Sequence, residues 1–175
     1  MCSTGMDDMR GVYLLICLQL LLGFPILQVQ VFADSNTVLN DFKIVAKYKP
    51  GYSDWKPWKV TITGDGNVIQ ETYVFDDKDE KTILKSYSLS RDDLKEIITE
   101  IKESNFMSLS KKIDYKVTDN PTLILTVTIE RKTHQVIVYA PSHSKQNNEV
   151  KRFLDVWNKV LKKVPPPNPE QKQID

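Results

Sequence analysis

Four aromatic residues cluster around two prolines and are the best candidates for a binding surface. They are Tyr48, Tyr52, Trp55 and Trp58. Aromatic rings beside prolines in a loop can stack against a peptide or a glycan, and aromatic residues are enriched at interfaces. The structural alternative is that Trp58 is a core residue of a strand and that Trp55 covers an open end of the sheet. The sequence leaves both interpretations open.

The sequence gives less support to a metal site than to an aromatic binding surface. His134 and His143 are the only histidines, and neither has a carboxylate at ligand spacing. The acidic stretch Asp76 to Glu80 offers oxygen ligands to calcium. It lacks the glycine and the bidentate glutamate of an EF-hand loop, so we expect a solvated connector between strands. We therefore expect no metal and no other cofactor.

A catalytic site would have to be assembled by the fold. No nucleophile-elbow, zinc-protease, Walker or dinucleotide-binding pattern occurs in the chain. Carboxylates such as Asp65, Asp114 and Asp119 are far apart in sequence, and an enzyme would need them to converge in three dimensions. We predict no catalytic residue.

The charge balance limits the possible partners. The formal net charge is +1, which is too small for a nucleic-acid footprint. Lysines within residues 151–163 form a basic helix face that could contact anionic lipid. Acidic residues interrupt that face, and a solvated surface is the expected interpretation.

The first 33 residues have the pattern of a signal peptide. A long apolar run, in which Gln19 is the one strongly polar residue, precedes the small residue Ala33 at a site of the A-x-A type. We expect cleavage after Ala33, and an uncleaved membrane anchor is the alternative. Translation from Met9 would give the leader a positively charged start.

Both cysteines belong to this leader. Cys2 and Cys17 are the only two in the chain, so the mature domain has no disulfide and no thiol for catalysis or metal binding. A domain of this size can bury enough apolar surface to be stable without disulfides.

Alternating and helical hydrophobic patterns organise residues 34–164 as one domain, followed by a proline-rich flexible tail at 165–175. The turn Gly64–Asn67 predicts one hairpin and the turn Arg131–Thr133 a second one. Expected strands cover 42–47, which looks like an edge strand, and 58–63, 68–75, 82–89, 114–117, 122–130 and 135–140; expected helices cover 91–104 and 147–163. The predicted fold is α+β, a two-layer sandwich in which two amphipathic helices cover a mainly antiparallel sheet.

Residues 57–163 contain several turns, helix starts and strand starts that together form a recognisable pattern. They are Asp65-Gly66-Asn67, Leu89-Ser90, Phe106 and Asp119-Asn120-Pro121-Thr122. With these features the chain resembles a family of small exported bacterial α+β domains of unknown function. The resemblance implies a shared fold and export, and it brings no catalytic residues.

The expected function is therefore that of a non-enzymatic binding or interaction domain of a bacterial cell envelope or exterior. The expected partner is a protein, a peptide or a glycan, with no nucleic acid, and with membrane contact only through an uncleaved leader. A monomer is expected. The alternatives are a secreted hydrolase or other enzyme with converging carboxylates, and an inhibitor of a secreted enzyme that presents the loop Lys49 to Pro57.

Overall fold

The computed structural model describes residues 39–164 except 53–55, 77–78 and 145. The predicted signal peptide and the predicted tail lie outside the described residues. The strands and α-helices are β1 (Lys43–Lys49), β2 (Trp58–Thr63), β3 (Asn67–Asp76), β4 (Asp79–Ser88), α1 (Arg91–Glu103), β5 (Lys112–Ile113), β6 (Thr122–Ile129), β7 (Lys132–Tyr139) and α2 (Asn148–Lys163).

The strands form one sheet in the order β4-β3-β2-β1-β6-β7-β5. Every pair is antiparallel except β5 with β7. The apolar stripes of both helices and one side of the sheet belong to a single buried cluster. This confirms the α+β class and a mainly antiparallel sheet with two amphipathic helices. Within the described part of the chain, neither helix is long and apolar enough to cross a membrane.

Alternating residues explain why the sheet has one buried side. In the central strands every second side chain is apolar, and those side chains are nearly inaccessible to solvent. The buried residues of β1, β2, β6 and β7 are Ile44, Ala46, Tyr48, Trp58, Val60, Ile62, Leu123, Leu125, Val127, Ile129, Val136 and Val138. The intervening residues are mostly threonine and lysine, so the opposite side is polar.

Both helices begin directly after a capping residue. Ser90 accepts a hydrogen bond from the backbone N–H of Asp93 at 3.1 Å, and the Asp93 carboxylate reaches back to the backbone N–H of Ser90. Helical spacing in the sequence predicts an apolar stripe of Leu94, Ile97, Ile98 and Ile101 on α1. This stripe is confirmed, since all four side chains are buried. Asn147 caps α2.

An ion pair joins the end of α2 to the start of α1. Lys163 Nζ lies 2.7 Å from Asp93 Oδ1 and 2.9 Å from Glu96 Oε2. The hydrogen bond from Lys163, with a further one from the Ser90 hydroxyl, lowers the pKa of Asp93 to about 2. The same two carboxylates raise the pKa of Lys163.

The prediction that the first strand lies at a sheet edge is wrong. β1 pairs with β2 on one side and with β6 on the other, so it is the central strand. Its alternating lysines, Lys43 and Lys47, gave the edge-like pattern. They lie on the polar side of the sheet. A strand with one solvent-exposed face shows the same alternation of polar and apolar residues as a strand at a solvent-exposed edge.

Other differences concern where elements begin and end. The acidic stretch predicted as a loop is largely strand, because Asp76 pairs with Asp79 and only residues 77–78 separate β3 from β4. The short strand is Lys112–Ile113 rather than 114–117, parallel to β7. The second hairpin turns at Glu130 and Arg131, which both have positive φ, and Lys132 already belongs to β7.

Candidate functional site

The predicted aromatic surface is divided by the fold. Tyr48 is 3% exposed and Trp58 is 1% exposed, and the two rings stack in the core at a centroid distance of 5.9 Å. Tyr52 is 92% exposed, and Trp55 lies outside the described residues. The structure therefore confirms the alternative interpretation for Trp58, which is a core residue of β2. Its ring is not available to a ligand.

The two histidines have separate environments. His134 Nε2 lies 2.9 Å from the carbonyl oxygen of Leu109, and its ring meets the edge of Phe106. His143 is exposed in the short 3-10 turn after β7. Among the residues that the structure describes, no three histidine, cysteine, aspartate or glutamate side chains group around a possible metal position.

Two of the three carboxylates that an enzyme would have to bring together lie at opposite ends of the sheet. Asp65 is in the turn after Thr63, which pairs with Lys43 at the start of β1. Asp119 precedes Thr122, which pairs with Lys49 at the end of β1. Six steps of extended strand separate these ends, which is roughly 20 Å. Asp65 and Asp119 therefore cannot act on the same substrate atom.

A cleft of about 810 Å³ opens at the end of the sheet where β1 begins. Its walls come from four places: the chain leading into β1 with the first residue of that strand, the β2–β3 turn, the first residue of α1 and the end of β6. The lining residues are Leu39, Asn40, Asp41, Phe42, Lys43, Thr63, Gly64, Asp65, Arg91 and Thr128. Its volume lies within the range of about 300–1,000 Å³ that is usual for ligand-binding clefts.

Close packing of backbone against backbone holds two of these walls together. A Cβ atom on Gly64 would overlap the carbonyl oxygen of Leu39, so a glycine lets the β2–β3 turn approach the segment before β1. In the same turn Gly66 has a positive φ of 89°, and its carbonyl oxygen accepts a hydrogen bond from the backbone N–H of Leu89 at 2.8 Å. This bond brings the start of α1 to the cleft.

The acidic side chains of the cleft already have partners. Asp65 accepts hydrogen bonds from the Thr63 hydroxyl, from the backbone N–H of Asn67 and from its side-chain amide, at 2.5, 3.1 and 3.0 Å. These bonds, with the one from Thr63 as the largest cause, lower the pKa of Asp65. Asp41 pairs with Arg131 at 3.4 Å. Both carboxylates are thus already engaged by groups of the protein itself.

The basic side chains of the cleft have no such partners. Lys43 and Arg91 make neither a side-chain hydrogen bond nor an ion pair with another described residue, and both are exposed. The arrangement favours a ligand with an anionic group, because two cations without counterions are available beside two carboxylates that already have partners within the protein. Sequence patterns did not single out Lys43 or Arg91, which are 48 residues apart in the chain. They line the same cleft because the β2–β3 turn contacts both the segment before β1 and the segment before α1.

Comparison with known proteins gives one family. Residues 56–161 match the family model described as a domain of unknown function (DUF6438). The match covers nearly the same residues as the predicted resemblance and confirms that they form a domain family without an assigned function. Curated proteins gave no match. Because the matched region begins at residue 56, it includes Arg91 and leaves out Lys43.

Proposed function

We propose that this chain, which belongs to the DUF6438 family, is a non-enzymatic binding domain that is exported and holds an anionic group of its ligand in the cleft between Lys43 and Arg91. The observation that carries the proposal is the contrast between the engaged carboxylates of the cleft and its two unpaired cations. An enzyme remains the alternative function, but the separation of Asp65 from Asp119 gives it no support.

The two cations point to an oxygen anion as the group recognised. The guanidinium of Arg91 has a planar fork of donors that fits two oxygens of a carboxylate, a sulfate or a phosphate. Lys43 supplies a compact second charge on a flexible stem. The cleft is larger than a single small anion requires, so the anionic group is expected to be part of a larger molecule such as an acidic glycan.

The test compares binding of polyanions to two double variants. Lys43→Gln with Arg91→Gln is expected to weaken binding of polygalacturonate or dextran sulfate at least about tenfold, because charge-assisted hydrogen bonds to the ligand are lost. Titration calorimetry at low and moderate salt measures the change, and neutral dextran serves as the uncharged probe. The control, Lys111→Gln with Lys151→Gln, removes the same charge from exposed positions elsewhere.

The control decides how specific the site is. An equal loss in both double variants would mean that only net charge matters and would remove the cleft from the proposal. Preference between the carboxylated and the sulfated polymer identifies the class of anion. If neither polymer binds the unaltered protein, an acidic-glycan ligand is excluded.

The export part of the proposal is supported by the apolar run and by the small residue Ala33. In bacterial cells expressing the full chain, we expect protein from the periplasm or the medium to begin at Asp34, which intact-mass measurement and N-terminal sequencing would detect. Mature protein that retains residues 1–33 would contradict cleavage and favour the uncleaved anchor.

A further inference from the structure

The β3–β4 hairpin extends beyond the strand that supports it. β2 begins at Trp58, which pairs with Thr72, and the backbone N–H of Tyr73 donates to the carbonyl oxygen of Pro57 at 3.1 Å. Beyond that bond, residues 74–76 pair with 79–81 of β4 and with no other strand that the structure describes. A two-stranded ribbon without a further neighbour is marginally stable in water. This hairpin therefore presents an arm that an additional strand would stabilise.

β4 exposes apolar side chains on both of its sides. All residues from 81 to 86 are exposed, and among them Ile83 and Leu84 expose 49% and 65% of their surface. Successive residues of a strand face opposite sides, so these two side chains cannot be covered by the same layer. Of the four large hydrophobic residues that are exposed in the described part of the chain, three belong to this hairpin. Such a concentration marks an interaction site.

β4 is also an outer strand of the sheet. Its one neighbour among the described strands is β3, so alternate residues direct their backbone N–H and C=O groups away from the sheet. We propose that β4 binds an extended segment of another protein, which adds to the sheet as a further strand and carries acidic residues at alternate positions. Main-chain hydrogen bonds supply the affinity in this mode of recognition, and alternate side chains supply the specificity.

The charges on β4 define the chemistry of that segment. Lys81, Ile83 and Lys85 lie on one side of the strand, two residues apart, and are exposed. Their side is the one that carries the helices, because Lys85 pairs with the buried Gln70. Residues directly opposite in neighbouring strands interact, and opposite charges there are favourable. An added strand therefore matches β4 when it presents an acidic, an apolar and an acidic residue at every second position.

The same lysines disfavour two registers in which a second copy of this chain could pair with β4. A two-fold arrangement of two antiparallel β4 strands centred on Ile83 would place Lys81 directly opposite Lys85 of the other copy. One centred on Lys85 would place that lysine opposite itself. Like charges directly opposite are destabilising, and lysine is a residue that blunts edge strands against self-pairing. In these registers the lysines favour an acidic partner over the identical strand.

Hydrogen exchange with synthetic peptides tests the proposal. An acetylated peptide of alternating glutamate and valine, nine residues long, is expected to slow amide exchange within residues 81–86 of the full chain. A peptide of alternating lysine and valine, and one with the same glutamates and valines in two blocks, are expected to leave those amides unchanged. No slowing by the alternating acidic peptide would overturn the proposal.

Charge reversal gives the sharper result. Lys81→Glu with Lys85→Glu is expected to weaken binding of the acidic peptide roughly tenfold or more and to make the alternating basic peptide bind instead. Lys85→Glu alone repeats the test with a smaller disturbance of the arm. The matched control, Lys111→Glu with Lys151→Glu, should leave both affinities within about twofold. Unchanged peptide preference in both reversal variants contradicts the proposal.

The cleft cations could also attract an acidic peptide, and a further variant separates the two sites. With Lys43→Gln and Arg91→Gln, protection of residues 81–86 is expected to persist, whatever happens to polyanion binding. If this variant abolishes the protection, the peptide is a ligand of the cleft and strand addition is refuted. Concentration-dependent protection of β4 without any peptide would show that a second copy is the occupant and would also refute it.

Discussion

Replacing Trp157 with alanine is expected to lower the free energy of unfolding by about 3–5 kcal/mol, because the substitution empties the space of a large core side chain. Trp157 is 1% exposed and lies on α2, at the contact between that helix and the sheet. Its ring is 5.5 Å from that of Trp58 on β2 and 6.0 Å from that of Phe153 on α2. Truncation would leave a cavity that both layers border.

Trp157 stands in the middle of a row of rings that crosses the core. The row runs through Tyr48, Trp58, Trp157, Phe153, Phe106 and His134. Aromatic pairs contribute about 0.5–1.5 kcal/mol beyond the burial of their area. Alanine at position 157 breaks the row between the sheet and α2. The expected loss in the free energy of unfolding therefore includes two lost ring contacts as well as the cavity.

Urea denaturation followed by far-ultraviolet circular dichroism measures the change without relying on tryptophan fluorescence. The control is Tyr52→Ala, which removes an aromatic ring that is 92% exposed and should change the free energy of unfolding by no more than about 0.5 kcal/mol. If the two variants lose equal stability, the row of rings does not hold the sheet to α2.

The burial of Trp157 could be predicted from its spacing along α2, and the limits of that prediction are visible in the same helix. Helical spacing predicts a stripe of Val150, Phe153, Leu154, Trp157, Leu161 and Val164. Leu161 is only partly buried, whereas Val156 and Val160, which lie outside the predicted stripe, are fully buried. The apolar face is wider than a narrow stripe, because α2 packs against α1 and also contacts the sheet through Trp157 and Trp58. Helical spacing finds the centre of a buried face better than its borders.

The position of a strand in the sheet could not be obtained from its own residues. β1 was predicted at an edge because Lys43 and Lys47 alternate with apolar residues, yet it is central. Likewise, β3 and β4 continue through an acidic stretch because each supplies the hydrogen bonds of the other. Local composition describes the exposure of side chains, whereas neighbours in space decide strand order and strand length.

The cleft illustrates the same limit for function. Its two unpaired cations belong to the start of β1 and the start of α1, and no sequence spacing relates them. The aromatic residues that did stand together in sequence were separated by the alternation of β1 and β2, which turned Tyr48 and Trp58 into the core. Sequence proximity was therefore a poor guide to shared surface in this fold.

Arg152 is a second residue whose role appears only in three dimensions. The sequence predicts a solvated basic face formed by the lysines of residues 151–163, and it assigns no separate role to Arg152. Instead its guanidinium donates to the carbonyl oxygens of Ser104 and Asn105 at 2.5 and 2.7 Å, and to the Ser108 hydroxyl at 3.0 Å. The carbonyl groups at a helix end lack partners within the helix, so Arg152 of α2 caps the end of α1.

Arg152→Ala is accordingly expected to lower the free energy of unfolding by roughly 2–3 kcal/mol, since charge-assisted hydrogen bonds are lost and two carbonyl groups are left without their donor. Urea denaturation of the full chain measures this loss. Arg152→Lys keeps the charge without the planar fork of donors and should give an intermediate value. The neighbouring substitution Lys151→Ala, on an exposed side chain, should change stability by no more than about 0.5 kcal/mol.

The two arginine variants also separate charge from geometry. Equal stability of Arg152→Lys and the unaltered protein would mean that a single cation near the end of α1 is sufficient, through its interaction with the helix dipole. A loss in Arg152→Ala no greater than that in Lys151→Ala would show that the bonds to Ser104 and Asn105 contribute nothing to stability. In the expected order of stability, lysine at position 152 lies between arginine and alanine. This order requires that one guanidinium donate hydrogen bonds to several acceptors at once.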